Sequence, residues 1–114
     1  MVAVTNQKVL GHKFLTRMYD DGYFPDHLVD KAKAILLGLC GRIEAGRPAD
    51  LAELYALTHA ATEDFNALEA EFDAAGSEIE TVARDLIGEE FWFVATAYGF
   101  DEADIEELIA PREW

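Results

Sequence analysis

The sequence predicts an all-α protein, a compact antiparallel helical bundle of four main helices plus a short C-terminal helix. Between positions 50 and 99, apolar residues recur at alternating spacings of three and four, which is the period of one helical face. No window combines the alternation and the β-branched enrichment of a strand. The connections between the predicted helices are short, which favours antiparallel neighbours.

Length, composition and charge limit the classes of protein to which the chain can belong. Its 114 residues are 51 % apolar, which predicts one domain, residues 1–114, with a packed core. Nine basic residues against 23 acidic ones give a net charge of −14. Such a surface repels phosphate and anionic lipid, so it disfavours nucleic acid and membranes as partners and attracts a basic protein. The start lacks a signal peptide pattern and no apolar run could span a bilayer, so we expect a cytoplasmic location.

The first two predicted helices lie before position 48. Residues 7–19 form the first, although Gly11 weakens it. Residues 25–44 form the second, because proline suits a first helical turn. Gly46 is predicted to supply a left-handed cap, and Pro48 prevents continuation of the helix. Within the second helix, Cys40 belongs to an apolar run, which predicts a buried and unreactive thiol.

The third and fourth predicted helices begin with the same capping pattern. Asp50 opens the third, and Glu53 stands three residues on, as in a capping box. Gly76 closes it. Ser77 and Glu80 repeat the spacing for the fourth helix, which reaches position 98.

The remaining features lie near the C-terminal end. A short fifth helix is predicted over residues 101–111, where Pro111 stops it. Three successive aromatic residues, 91–93, surround the fourth helix and are predicted to be core. An exposed Trp92 would instead be an anchor for a partner, because tryptophan dominates interface hot spots. Trp114 is predicted to pack back over the aromatic cluster.

One acidic residue, Glu90, falls where the pattern of the fourth helix demands an apolar one. The apolar face of the third helix is predicted to consist of Leu51, Leu54, Thr58, Ala61, Phe65, Leu68, Phe72 and Ala75. The corresponding face of the fourth is predicted to consist of Ile79, Ala83, Leu86, Glu90, Phe93 and Ala97. A carboxylate in such a seam must be neutralised, hydrogen-bonded or paired.

Positions equidistant from the turn at Gly76 are expected at similar heights, which places Glu90 opposite Thr62. Tyr55, His59, Thr62 and Asn66 form a polar strip beside the core face of the third helix. Three interpretations follow for Glu90. It accepts hydrogen bonds from the strip in a structural network, it forms with His59 and the strip a pocket that binds a ligand or performs acid–base chemistry, or it reaches solvent past small residues.

One pair of residues on the third helix has a spacing that is typical of metal ligands. His59 and Glu63 lie one helical turn apart, a spacing that can hold two ligands of one metal, but a third ligand is missing and a surface ion pair is the alternative. Nothing resembles a phosphate-binding loop or a nucleophile elbow. We therefore predict no metal, no cofactor and no catalytic residue, and the candidate ligand-binding residues are Glu90, His59, Tyr55, Thr62 and Asn66.

Several strings of the chain resemble an uncharacterised bacterial family, domain of unknown function 5713. They are residues 23–31 (YFPDHLVDK), 54–66 (LYALTHAATEDFN), 77–85 (SEIETVARD), 97–100 (AYGF) and 104–109 (DIEELI). The resemblance spans nearly the whole chain and implies a bacterial, stand-alone, single-domain protein. The family carries no activity, cofactor or catalytic residue that could be transferred to positions here.

Two functions from different classes remain open. The first is a non-enzymatic protein-interaction module, immunity- or antitoxin-like, that binds a basic partner, which the net charge and the missing catalytic motifs favour. The second is a small-molecule or metal-dependent activity at a Glu90/His59 pocket. The helical spacing also fits a coiled-coil dimer, so we expect a monomer or a homodimer.

Overall fold

A computed structural model describes residues 4–114, and within them every regular element is helical. The six helices are α1 (Gln7–Leu10), α2 (Thr16–Asp20), α3 (Asp26–Gly46), α4 (Leu51–Ala74), α5 (Thr81–Ala97) and α6 (Ile105–Leu108). The predicted all-α class is confirmed. Three helices are long, α4 packs mainly on α3, and α6 contacts both α4 and α5. Within residues 4–114, no helix combines the length and the apolar character needed to cross a bilayer.

The first predicted helix is wrong in its continuity, because the chain forms α1 and α2 with a break between them. Gly11 ends α1, and Leu15 enters α2 in the left-handed conformation with φ of 57°. Glycine at the break lowers the cost of leaving the helix. The break directs the side chains of Phe14 and Leu15 towards the core, where both are buried. Tertiary burial therefore overrides the helical periodicity of this segment.

The ends of α3 and α4 are close to those predicted from the sequence. At the end of α3 it is Arg47, with φ of 47°, that takes the left-handed conformation predicted for Gly46. The predicted capping interaction at the start of α4 is present, because the side chain of Asp50 accepts a hydrogen bond from the amide of Glu53 at 2.9 Å. The side chain of Glu53 returns to the amide of Ala49 at 3.0 Å.

The predicted capping box at Ser77 and Glu80 is wrong. Ser77 belongs to the end of α4, since its amide donates to the carbonyl of Phe72 at 2.9 Å across Gly76, whose φ is +80°. This six-to-one bond is the signature of a Schellman cap, which needs a residue with positive φ and so favours glycine. The hydroxyl of Ser77 is buried and finds no partner in the described part of the chain. Helix α5 consequently begins four residues later, at Thr81.

The predicted fifth helix is shorter than its pattern. Asp104 caps α6 by accepting from the amide of Glu106 at 2.9 Å, so the acidic residues before it lie in a turn. Buried Gly88 of α5 allows a close approach to α6, because a Cβ atom there would lie 3.1 Å from Cγ2 of Ile105. The chain then ends in the core, where Trp114 is buried and packs against Phe65. Trp114 thus packs back onto the bundle, but the aromatic ring beside it is Phe65 of α4 and not one of the predicted cluster at residues 91–93.

Candidate functional site

Glu90 lies at the edge of the buried face of α5, and this corrects the predicted seam. The buried residues of α5 are Ala83, Ile87, Gly88, Phe91, Val94 and Ala95. Leu86, Glu90 and Phe93, which the sequence pattern placed in the centre, are only half-buried. The two candidate faces overlap at Ala83, and the face through Ile87 carries no charge. The helix is rotated accordingly, since burial of the fully apolar face leaves no carboxylate to desolvate.

The partners of Glu90 come from the break between α1 and α2. Nε2 of His12 donates to one carboxylate oxygen at 2.8 Å, and the amide of Leu15 donates to the other at 2.7 Å. The ring of His12 stacks on Phe93 with centroids 3.8 Å apart and meets the edge of Phe14 at 4.6 Å. The carboxylate therefore holds the break in place, and the interpretation of Glu90 as a hydrogen-bonded structural residue fits these contacts, although its predicted partners on α4 were wrong.

His12 is the residue that sequence reasoning missed at this position. It stands 78 residues from Glu90, and no periodic pattern connects the two. Gly11 beside it was the only local signal that the helix would open there. The cleft beside the pair has a volume of about 170 Å³ and is lined by residues of the break and of α5, including Lys13 and Glu89. The one hydroxyl that lines it, Oγ1 of Thr16, donates to the carbonyl of Lys13 at 2.9 Å, and a backbone carbonyl is not a general base that could activate it.

The polar strip of α4 binds the C-terminal segment instead of Glu90. The amide of Asp104 donates to the hydroxyl of Tyr55 at 3.2 Å, and Nε2 of His59 donates to the carbonyl of Glu107 at 2.6 Å. Because α6 lies against α4, its backbone occupies the place beside the polar strip where Glu90 was expected from its distance to the turn at Gly76. The structure therefore does not bring Glu90 and His59 into one pocket.

The remaining two strip residues continue the same attachment. Oγ1 of Thr62 is buried and donates to the carbonyls of Thr58 at 2.8 Å and Leu108 at 3.3 Å. The amide group of Asn66 bonds twice, since Nδ2 donates to the carbonyl of Pro111 at 3.0 Å and Oδ1 accepts from the amide of Glu113 at 2.8 Å. The strip provides hydrogen-bond partners for backbone amides and carbonyls at the ends of a short helix. A helix needs such partners at its ends because it cannot supply them from its own backbone. Within residues 4–114, no group of three or more histidine, cysteine, aspartate or glutamate side chains could hold a metal ion.

A second carboxylate, Glu44 of α3, fixes the segment before α1. It accepts hydrogen bonds from the hydroxyl of Tyr98, from the amide and hydroxyl of Thr5, and from the amide of Asn6. These donors, Tyr98 first, lower the pKa of Glu44 to about 2. The Cys40 thiol lies in the same region and is buried, as predicted, and burial raises its pKa to about 11. A thiol with this pKa is almost entirely protonated at neutral pH and so is a poor nucleophile.

Five carboxylates line a cleft between the end of α4, the start of α5 and the C-terminal tail. We call it the acidic cleft. Its volume is about 600 Å³, and it is lined by Glu69, Asp73, Glu78, Ile79, Glu80, Thr81, Arg84, Glu113 and Trp114. Five of these nine residues are acidic. The one basic residue among them, Arg84, donates from Nε to the backbone oxygen of Trp114 at 3.0 Å.

The carboxylates of the acidic cleft repel one another. Burial, followed by the charges of Glu113 and Asp73, raises the pKa of Glu69 above its ordinary value. A hydrogen bond with the side chain of Glu80, followed by the charge of Glu80, raises the pKa of Glu78. Both shifts have the direction that crowded like charges produce, since each carboxylate makes ionisation of its neighbour less favourable. A positively charged group placed in the cleft would relieve this repulsion.

The chain belongs to the family of unknown function DUF5713, whose pattern matches residues 8–114. The resemblance found in the sequence is therefore confirmed over nearly its whole length. No curated protein and no solved structure matches the chain.

Proposed function

We propose that this protein is a non-enzymatic interaction module that binds a basic partner protein. The observation that carries the proposal is that few of the acidic side chains are paired with a basic side chain. Of the 23 acidic side chains, only Glu71 and Glu106 form ion pairs with a lysine or an arginine within residues 4–114, namely Lys31 and Arg112, and Glu90 contacts the imidazole of His12. A surface of this kind accelerates and orients the approach of a positively charged partner.

The acidic cleft is the part of the surface where this argument is strongest. Exposed Glu78, Glu80 and Glu113 surround it, and the pKa of Glu78 is raised by its acidic neighbours. Lysine or arginine side chains of a partner would lower the repulsion between these carboxylates on binding. The energy of the encounter would then depend on salt, because exposed charges are screened within about 8 Å at physiological ionic strength.

The contacts of the predicted ligand-binding residues support a binding function over catalysis. Glu90 is occupied by His12 and by the amide of Leu15, and His59 is occupied by the carbonyl of Glu107. Acid–base chemistry needs a group that can reach a substrate proton, and these side chains are directed at groups of the chain itself. No specific observation favours the alternative of a Glu90/His59 activity.

The proposal is tested by affinity capture from an extract of the source organism, followed by binding measurements with the purified captured protein. The bait is compared with a variant in which the cleft is partly neutralised, Glu78→Gln, Glu80→Gln and Glu113→Gln. We expect a basic protein that binds the unchanged bait and is released near 1 M salt, where the Debye length is about 3 Å. The neutralised bait should bind it at least about tenfold more weakly.

A matched control removes the same number of charges elsewhere. Glu63→Gln, Asp64→Asn and Glu102→Gln change exposed acidic residues that do not line the acidic cleft. This control bait should bind with less than about a threefold loss. An equal loss of affinity for both variants would mean that only the net charge of the bait matters, and it would contradict a role for the cleft. Failure to capture any basic protein, or capture that is insensitive to salt, would contradict the proposed function as a whole.

A further inference from the structure

The exposed face of α5 carries apolar side chains that the fold does not use. Val82 and Trp92 are 60 % and 44 % exposed, although their neighbours Ala83 and Phe91 are buried. Trp92 was predicted to be core, so its exposure corrects that expectation and leaves the alternative that it anchors a partner. Large aromatic side chains at the surface are the residues that most often dominate binding energy at protein interfaces.

These residues share one helical face with two acids. Val82, Asp85, Glu89 and Trp92 are all exposed and follow one another at spacings of three, four and three. We call this set the α5 stripe. Its two apolar ends lie ten residues apart, which is about 15 Å along the helix axis. The stripe therefore presents an apolar contact at each end and negative charge between them.

The surroundings of the α5 stripe extend both properties at its Val82 end, whereas the clefts beside Asp85 and Glu89 also contain Lys13, Arg17 and Arg84. Exposed Tyr23, with 48 % of its surface accessible, lines a cleft together with Val82 and with two acidic residues, Asp21 and Glu80. Glu80 also lines the acidic cleft, so the two surfaces are continuous. Three of the four large hydrophobic side chains that are exposed in the described part of the chain thus lie on or beside this face.

The charge of the α5 stripe selects among candidate occupants. A second copy of the chain would meet it across a two-fold axis, which pairs a surface patch with itself. Asp85 and Glu89 of one copy would then face the same carboxylates of the other, with no basic residue in the stripe to compensate. Phosphate backbones and anionic lipid are disfavoured by the same charges. A basic protein segment is favoured because it meets both the acids and the apolar ends.

We propose that the α5 stripe docks an amphipathic basic helix of a partner protein, an inference that rests on the proposed function and specifies its surface. Two apolar side chains of that helix, about three turns apart, contact Val82 with Tyr23 at one end and Trp92 at the other. Lysine or arginine side chains between them meet Asp85 and Glu89. Recognition of one helical face through spaced apolar anchors is a recurring mode of peptide binding.

The test uses a displayed library of helical peptides in which the residues of one face are randomised, selected against the full chain. Enriched peptides should carry apolar residues about three turns apart with basic residues between them. Their affinity should fall about tenfold or more for Trp92→Ser and for the double variant Asp85→Asn, Glu89→Gln. Trp92→Phe should retain most of it. The control Glu63→Gln, Asp64→Asn, on α4, should bind as the unchanged chain does.

Each outcome separates the two proposals. Enriched basic peptides that lose affinity only for the Glu78, Glu80 and Glu113 variant would overturn the α5 stripe as the docking surface and leave the proposed function standing. Enriched peptides without basic residues, or no enriched peptides, would overturn the α5 stripe as a docking surface for a basic helix, whereas the proposed function is contradicted only by failure of the capture experiment. A homodimer in sedimentation that Trp92→Ser converts to a monomer would overturn the proposal in favour of a second copy. Helical circular dichroism of each variant establishes that the loss of affinity is not unfolding.

Discussion

Replacement of Glu90 by alanine tests whether this carboxylate holds the break between α1 and α2. The amide of Leu15, which is 3 % exposed, would lose its acceptor, and an unsatisfied buried donor costs about 1–3 kcal/mol. The contact with His12 is partly exposed, with 28 % and 12 % of the two side chains accessible, and so contributes only about 0.2–1 kcal/mol. The free energy of unfolding should therefore fall by about 1–4 kcal/mol.

Urea unfolding followed by circular dichroism measures this loss. With a denaturant dependence of about 1.5 kcal/mol per molar urea, the midpoint should fall by about 0.7–2.7 M. Glu90→Gln should recover part of the stability, because its carbonyl can accept from the amide of Leu15. The exposed neighbour Glu89 is the matched control, and Glu89→Ala should change stability by less than about 0.5 kcal/mol. Equal effects for Glu90→Ala and Glu89→Ala would refute the structural role.

Four further predictions follow from other contacts. Asn66→Ala should detach the C-terminal tail and increase hydrogen exchange at the amide of Glu113, measured by NMR, and unchanged exchange would contradict the attachment. Because the folded pKa of Glu44 is lowered to about 2, its contribution to stability is present above its ordinary pKa near 4.5 and is lost as the pH falls towards 2, so the difference between the chain and Glu44→Gln in urea should shrink over that range. The thiol of Cys40 should react with a thiol reagent only at the rate of unfolding, and rapid labelling of the folded protein would contradict its burial. Gly38→Ala should raise the free energy of unfolding by about 0.5–1 kcal/mol, because the position is exposed and helical with no atom near an added Cβ, and a loss of stability in the same urea assay would refute this.

The parts of the fold that the sequence predicted well depend on neighbours along the chain. The extents of α3 and α4 follow from helical periodicity, from Asp50 as a cap and from Gly76 as a left-handed terminus. Each of these signals acts over four or five residues, so no knowledge of distant contacts is needed. The buried face of α4 is correct for the same reason, since one apolar stripe has no competitor on that helix.

The parts that were missed depend on partners far away in the sequence. Helix α5 carries two apolar faces, and the choice between them was made by the elements that pack on it. The His12 contact to Glu90 spans 78 residues, and the attachment of α6 to Thr62 spans 46 residues. Glu90 would lie opposite Thr62 only if α4 and α5 faced each other directly. They do not, because the short helix α6 contacts both of them.

The polar residues that stand out in the sequence and the surface that stands out in the structure are different parts of this chain. Glu90 and the polar strip of α4 were conspicuous in the sequence because they are polar groups at positions that a helix buries. In the structure each of them bonds to backbone or to another side chain, which is the ordinary state of a buried polar group. The α5 stripe shows the opposite condition, because Val82 and Trp92 are exposed and neither Asp85 nor Glu89 forms a hydrogen bond or an ion pair with its side chain within residues 4–114. The proposed docking of a partner helix on α5 would give these side chains the contacts that the fold does not give them.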